Sequence, residues 1–210
     1  MSRASVTSRV PVPLAAFAPR LRAEPGDAAS FDIDAAANRI AVAAPAATNL
    51  FCDPRSGRLV ASAPRLLFPL AGDGWLRACV SVEFASVFDV GALLAWVDEG
   101  RWAKLCFERA PDGQAMVVSV VNRGRSDDAN GFVVRAPAVH LRLARIDETL
   151  AFHASLDGRG WMLVRYFEIG RLDDLRIGFT AHSSRGAGVR AEFSEIAFAE
   201  STLADIRGAG

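Results

Sequence analysis

The amino-acid sequence predicts an all-β protein built as a two-sheet antiparallel β-sandwich of the jelly-roll type. Apolar residues recur at every second position in short runs, which is the repeat of a strand with one buried face. Residues that favour turns separate these runs, as in Ala71-Gly72-Asp73-Gly74 and Pro111-Asp112-Gly113. About a dozen such strands in a chain of 210 residues fit one sandwich domain.

Two of the predicted strands show which side chains point outward. In residues 75–84 every even position is apolar, whereas the odd positions include Arg77 and Glu83. In residues 102–108 inward-facing apolar residues alternate with an outer set that includes Lys104 and Glu108. This alternation predicts one core face and one polar outer face for each strand. The other predicted strands are residues 38–43, 65–70, 90–97, 116–121, 132–135, 139–145, 149–156, 161–167, 175–181 and 189–199.

Hairpin pairing and apolar runs refine this arrangement. Pairing across the loop 146–149 places Arg142 opposite His153 and turns the apolar positions of both strands inward. The next hairpin then adds Trp161 and Arg165 to the side of His153. The same patterns predict outward positions for all three histidines, His140, His153 and His182. Two runs are apolar at almost every position, so both of their faces should be covered, and these are residues 90–97 and 116–121.

Charge and composition exclude two classes of partner. Lysine plus arginine and aspartate plus glutamate both total 24, and no basic run is present, so nucleic acid is not an expected partner. No stretch approaches the roughly 18 apolar residues that span a bilayer, so no membrane partner is expected. The cysteines are odd in number and form no CxxC pair, which favours reduced thiols and a cytoplasmic location. They are Cys52, Cys79 and Cys106.

The chain ends differ in composition from the predicted sandwich. Residues 1–27 are rich in alanine and proline and predict a loosely attached arm. Within them Ser8, Arg9 and the prolines interrupt the apolar stretch that a cleaved signal peptide requires. Residues 28–200 form the predicted sandwich domain, and residues 201–210 form a short tail.

A series of motifs in fixed order carries a family resemblance. The most specific are Trp102-Ala103-Lys104-Leu105-Cys106-Phe107-Glu108, Ser119-Val120-Val121-Asn122 and Ser126-Asp127. Others are Thr48-Asn49-Leu50-Phe51-Cys52-Asp53-Pro54, Gly72-Asp73-Gly74-Trp75, Phe88-Asp89-Val90-Gly91, Ser155-Leu156-Asp157-Gly158 and Arg165-Tyr166-Phe167. Over roughly residues 30–200 the chain resembles a domain-of-unknown-function family that includes the fungal regulation-of-enolase protein.

The resemblance implies a concanavalin A-like lectin/glucanase fold and a carbohydrate as the class of ligand. It implies no established biochemical activity. The chain departs from the family pattern at two positions: Asn49 stands where an aspartate is usual, and Asp128 where an aromatic residue is usual. A ligand contact made by either family residue would therefore be absent here.

The sequence favours a lectin-like binding module over an enzyme. Its concave groove would receive a small carbohydrate or an acidic metabolite on outward side chains. Lys104 is of special interest because it is the only lysine in the chain, and an ammonium and a guanidinium bind ligands differently. The predicted ligand-binding residues are Lys104, Glu108, Arg142, His153, Trp161 and Arg165.

Two alternatives stay open. The protein could be an intracellular regulator that binds a metabolic enzyme, or a carbohydrate-active hydrolase or lyase with Glu83 and Glu108 as its carboxylates. The enzyme alternative is weaker, because the Glu-x-Asp-x-x-Glu strand pattern of sandwich glucanases is missing. No cofactor is predicted, and no metal site is predicted from the spacing of the histidines.

Overall fold

The computed structural model describes residues 10–24 and 30–207, and these form an almost entirely β structure. Two short 3-10 helices precede the second strand, at Leu14–Ala16 and Ala18–Arg20. The strands are β1 (Val12–Pro13), β2 (Arg22–Glu24), β3 (Phe31–Asp34), β4 (Arg39–Pro45), β5 (Leu50–Cys52), β6 (Leu59–Ala61), β7 (Arg65–Pro69), β8 (Gly74–Val82), β9 (Asp89–Asp98), β10 (Arg101–Arg109), β11 (Ala115–Arg123), β12 (Ser126–Val133), β13 (Ala138–Ile146), β14 (Thr149–Ser155), β15 (Met162–Phe167), β16 (Arg176–Ser183) and β17 (Gly188–Ala199). None of the helices among the described residues is long and apolar enough to cross a membrane.

The strands form two large antiparallel sheets. Sheet A has the order β15-β14-β13-β8-β17-β4-β3, and β1 also pairs with β17. Sheet B has the order β12-β11-β10-β9-β16-β7-β2, and β5 and β6 form a separate hairpin. The predicted two-sheet antiparallel β-sandwich is confirmed.

The core lies between the sheets and is built by alternate residues of their strands. In β8, for example, Leu76, Ala78 and Val80 are buried in it, as the period-two pattern predicts. The first hairpin has the predicted register, with Arg142 opposite His153. Its inner faces therefore contribute a continuous apolar surface to the core.

The second hairpin differs from the prediction because of a β-bulge. The register shifts between Phe152 and His153, so that Arg165 pairs with Phe152 and Leu163 pairs with His153. The predicted placement of Arg165 beside His153 is therefore wrong. A one-residue bulge reverses which face each following side chain occupies, and the sequence shows no signal for it here.

The described residues of the predicted N-terminal arm pack against the sandwich. Leu14 and Phe17 are buried in the core, and the Phe17 ring lies 4.8 Å from that of Phe68. The strands β1 and β2 extend sheet A and sheet B respectively. The remaining residues of the arm, 1–9 and 25–27, lie outside the described residues.

One segment covers much of the outer face of sheet B. Residues 46–64, here the cover segment, include the β5–β6 hairpin and place Leu50 and Ala63 on an apolar patch of the sheet. Two polar residues from the family-like motifs hold it there. The Thr48 Oγ1 accepts a hydrogen bond from the backbone of Ser183, and the Ser126 Oγ accepts one from the backbone of Cys52. The apolar strands β9 and β11 are therefore covered on both faces, as predicted.

The close approach of β16 to β7 generates a prediction about stability. A Cβ atom at Gly178 would lie 2.0 Å from the backbone oxygen of Leu66. We expect Gly178→Ala to lower the free energy of unfolding by about 2 kcal/mol or more, because the strands must separate to admit the methyl group. Urea unfolding of the variant measures the change.

Gly72→Ala is the matched control. A Cβ at Gly72 meets no atom within 4 Å, so this variant should unfold at nearly the urea concentration of the wild type. Equal stability of the two variants would contradict the close packing of β16 on β7.

Candidate functional site

A pocket of about 280 Å³ opens on the outer face of sheet B beside the cover segment. We call it the sheet B pocket. Its apolar lining is Phe51, Phe88 and Val120, and its polar lining is Asn49, Lys104, Glu108, Asp128, His182, Ser184 and Arg185.

Strand register brings the polar lining together from three strands. Lys104 on β10 and Asp128 on β12 flank Val120 on β11. Glu108 on β10 and His182 on β16 flank Val90 on β9 in the same way. Each pair is separated by one intervening strand, so its α-carbons lie about 10 Å apart, and long side chains can reach towards each other.

Lys104 and His182 form a buried polar pair at the base of this pocket. The Lys104 Nζ lies 2.9 Å from the His182 Nε2, and the residues are 3% and 2% exposed. Burial, reinforced by the charge of Lys104, holds the pKa of His182 well below its ordinary value. The neutral ring therefore accepts a hydrogen bond from the ammonium through Nε2, and the proton is on Nδ1. That Nδ1 has no hydrogen-bond partner within the described part of the chain.

The Glu108 carboxyl changes its protonation state near neutral pH. Burial raises the pKa of Glu108 to about 7, against the opposing effect of the Lys104 ammonium and with a further contribution from Asp128. The pKa of Asp128 is raised as well, mainly by desolvation. Near pH 7 the Glu108 carboxyl therefore exists in both forms, and it can donate or accept a hydrogen bond.

Phe88 gives the pocket an aromatic wall on a strained backbone. Its φ of 61° lies in the left-handed region, which is unusual for a bulky residue and is often found at functional sites. The buried Asp89 carboxylate holds this turn, accepting hydrogen bonds from the backbones of Ala85 and Ser86 and from the Ser183 hydroxyl. The Arg185 guanidinium lies 5.4 Å from the centre of the Phe88 ring.

The structure places the six predicted ligand-binding residues at different sites. Lys104 and Glu108 lie in the sheet B pocket, but Lys104 is buried rather than an outer-face charge in solvent. The other four belong to sheet A or to its hairpins, so the expectation of one shared polar face is wrong. Alternation within a strand shows which side chains share a face, but it does not show to which sheet the strand belongs.

Arg142, His153 and Trp161 form a separate buried cluster on sheet A. The Arg142 guanidinium lies 4.5 Å from the centre of the Trp161 ring. His153 is 0% exposed and its Nε2 donates to the backbone oxygen of Ile206 in the C-terminal tail, 2.8 Å away. Burial lowers the pKa of His153 to about 4, so the ring is neutral at ordinary pH. The cluster attaches the tail to the sandwich.

Arg165 and Glu83 also lie outside the sheet B pocket. Arg165 donates to the Asp127 carboxylate at 2.6 Å and so joins the edge strands of the two sheets, β15 and β12. The Glu83 side chain, just after β8, is 76% exposed and lies 4.0 Å from Arg190. The proposed pairing of Glu83 with Glu108 across one groove is therefore not formed. The carboxylate that accompanies Glu108 is Asp128.

Of the pocket lining, sequence reasoning identified only Lys104 and Glu108; the polar residues that it missed include Asn49, Asp128, His182 and Arg185. A signal was available for Asn49 and Asp128, because they are the two departures from the family pattern. The sequence placed His182 on an outer face, but it is 78 residues from Lys104, and no local sequence pattern predicts that the two side chains meet. Arg185 lies in a turn and follows no strand repeat.

The fold and the pocket together define the class of this protein: a concanavalin A-like β-sandwich with a polar pocket on the outer face of one sheet. Residues 29–201 match the sequence model of a family described as "Protein of unknown function (DUF1349)". The chain belongs to this family, which confirms the resemblance seen in the motifs. No curated protein matches the sequence.

Three solved structures illustrate the similarity in fold. A functionally unknown protein from Saccharomyces cerevisiae is 22% identical, with a TM-score of 0.79 over 88% of this chain and 98% of that chain. A xylan beta-1,4-xylosidase from Bacillus halodurans is 12% identical, with a TM-score of 0.65 over 83% of this chain but only 34% of that chain. An alginate lyase from Klebsiella pneumoniae is 13% identical, with a TM-score of 0.52 over 81% of this chain and 84% of that chain.

The raised pKa of Glu108 predicts a dependence of stability on pH. The folded-state pKa of about 7 lies above the ordinary value of 4.5, so ionisation of this carboxyl costs folding free energy. The cost is absent below pH 4.5, increases between the two values and is complete above pH 7. We expect Glu108→Gln to become more stable relative to the wild type over this interval, by on the order of 2 kcal/mol.

Chemical unfolding at a series of pH values measures the difference. Glu83→Gln, which removes an exposed carboxyl from the other sheet, is the control. A constant stability difference for Glu108→Gln from pH 4 to pH 8 would show that the carboxyl is solvated as in the unfolded chain.

Proposed function

We propose that this protein binds a small carbohydrate, neutral or acidic, in the sheet B pocket. The observation that carries the proposal is the combination of a buried ammonium, two carboxyl groups and aromatic rings in one pocket of about 280 Å³. Sugars present hydroxyl groups that donate and accept hydrogen bonds, together with C–H faces that pack on aromatic rings.

The groups in the pocket complement these features of a sugar. Lys104 and Arg185 offer donors, and Asp128 offers acceptors. Glu108 offers either, because its pKa is about 7. Phe51 lies on the cover segment. The rings of Phe51 and Phe88 both supply apolar surface to this pocket.

The size of the pocket limits the ligand. Its volume lies near the lower end of the range for small-molecule sites, about 300 Å³, so one sugar unit fits better than a long chain. Two of the similar structures are a xylosidase and an alginate lyase, which supports a carbohydrate as the class of ligand. The proposed location is the cytoplasm, where the three free cysteines would stay reduced.

A second candidate function is catalysis on a carbohydrate, as a hydrolase or lyase. The observation that favours it is the pair of carboxyl groups with raised pKa values, since a general acid works best with a pKa near the operating pH. In this function Glu108 would be the acid and Asp128 the base or nucleophile. Formation of reducing ends or unsaturated products from the bound sugar, lost in both Glu108→Gln and Asp128→Asn, would assign it.

The binding proposal predicts selective loss of affinity. We expect saturation-transfer NMR against neutral pentoses, hexoses and uronic acids to identify a ligand, with Kd values from calorimetry. Lys104→Met and Asp128→Asn should each weaken binding at least tenfold, because each removes a charged partner of the ligand while keeping a similar side-chain volume.

Arg190→Met on sheet A is the matched control, since it removes a surface cation away from the pocket. It should bind the ligand as the wild type does. Wild-type affinity in the two pocket variants, with native circular dichroism, would move binding off this site. The alternative that the protein regulates a metabolic enzyme predicts a different result. In that case neither the wild type nor the Lys104→Met, Asp128→Asn double variant would bind a sugar, and both would capture the same protein partner equally.

A further inference from the structure

Three side chains of different chemistry meet on the outer face of sheet A, far in the fold from the sheet B pocket. They are Cys79 on β8, His140 on β13 and Glu195 on β17. The cysteine sulfur, a ring nitrogen and a carboxylate oxygen all lie within 4.8 Å of one another. Cys79 and His140 are half-buried, whereas Glu195 is exposed.

Strand register creates this cluster. Cys79 pairs with His140 on one side and with Ser194 on the other, so the three residues share one face of the sheet. In β17 the register shifts between Ser194 and Ala197, and Glu195 has a left-handed φ of 49°.

The bulge in β17 is what makes Glu195 available. In a regular strand the residue after Ser194 would point into the core, as Phe193 does on its other side. The bulge adds one residue, so that Ile196 takes the core position and Glu195 stays outside beside Cys79. Bulges that redirect a side chain are frequent at functional sites.

A neighbouring turn limits the position of the His140 ring. A Cβ atom at Gly158 would lie 3.0 Å from the ring Cε1 and 3.1 Å from Nδ1, so only glycine leaves normal space for the ring. Gly158 also has a φ of 72°, which glycine adopts without strain. Asp157 fixes the turn by accepting hydrogen bonds from the backbones of Arg159 and Gly160.

We propose that Cys79, His140 and Glu195 bind a divalent transition-metal ion, with zinc as the preferred ion. Thiolate, imidazole and carboxylate are the ligands that zinc takes in proteins, and donor atoms about 3.5 Å apart surround a tetrahedral ion. The present separations, at most 4.8 Å, must close to this value when the ion binds. The two anionic ligands balance the charge of the ion, and the fourth position stays open to water or to an external ligand.

Cobalt(II) titration of the untagged full chain tests the proposal. The chain is first treated with a chelator and kept reduced with a phosphine. We expect one equivalent of Co²⁺ to give visible bands of tetrahedral intensity and a thiolate charge-transfer band in the near ultraviolet, and Zn²⁺ to displace both. Absence of these bands at millimolar Co²⁺ would overturn the site.

Variants of each ligand distinguish the cluster from a single reactive thiol. Cys79→Ser should abolish the charge-transfer band, and His140→Asn and Glu195→Gln should each weaken Co²⁺ binding by about 100-fold or more. Cys52→Ser is the matched control and should keep the band, since Cys52 is buried within the cover segment, away from sheet A. If both His140→Asn and Glu195→Gln bound Co²⁺ with wild-type affinity, the metal would be bound by the Cys79 thiol alone, and the proposed site would be wrong.

The histidines give an internal control that needs no variant. On addition of Zn²⁺ the side-chain NMR signals of His140 should shift, whereas those of His153 and His182 should not, because both are buried in other contacts. Shifts at His182 instead of His140 would place the metal in the sheet B pocket and refute the proposal.

Discussion

The need to cover the outer face of sheet B governs the rest of this structure. The central strands β9 and β11 carry apolar residues on both faces, and one face alone can pack against sheet A. The cover segment supplies the second layer, with Leu50 buried against the sheet. Its attachment depends on a few short side chains, Thr48 and Ser126 above all, which bond backbone groups that would otherwise be buried unpaired.

The electrostatics of the pocket follow from this incomplete cover. The cover segment leaves part of the outer face of sheet B uncovered, and this part is the sheet B pocket. Polar side chains that line the pocket are therefore largely desolvated, although the pocket itself is open to solvent. Desolvation is the main cause of the low pKa of His182 and the high pKa of Glu108. Lys104 connects the two, since it donates to the neutral ring and its charge opposes the protonation of both groups. Packing therefore sets the acid–base character of the site.

Local pattern in the sequence predicts strands and hairpins, but not the sheet to which distant strands belong. The pairing of Arg142 with His153 was predictable because a short turn, Asp147-Glu148, joins their strands. The pairing of β9 with β16 has no such signal, so the meeting of Lys104 with His182 could not be inferred. Bulges add a second obstacle, because one extra residue in β15 or β17 reverses the side-chain orientation expected of a regular strand.

The two outer faces also differ in what their buried polar groups can do. On sheet A, Arg142 lies on Trp161 and His153 donates to the tail, so these groups are already engaged within the fold. On sheet B, Glu108 and Asp128 face a pocket whose volume admits a small molecule. A buried polar group that satisfies the chain itself stabilises structure, whereas one that faces an accessible cavity is available to a ligand. This difference favours the sheet B pocket for the proposed binding, whereas the Arg142 cluster attaches the tail.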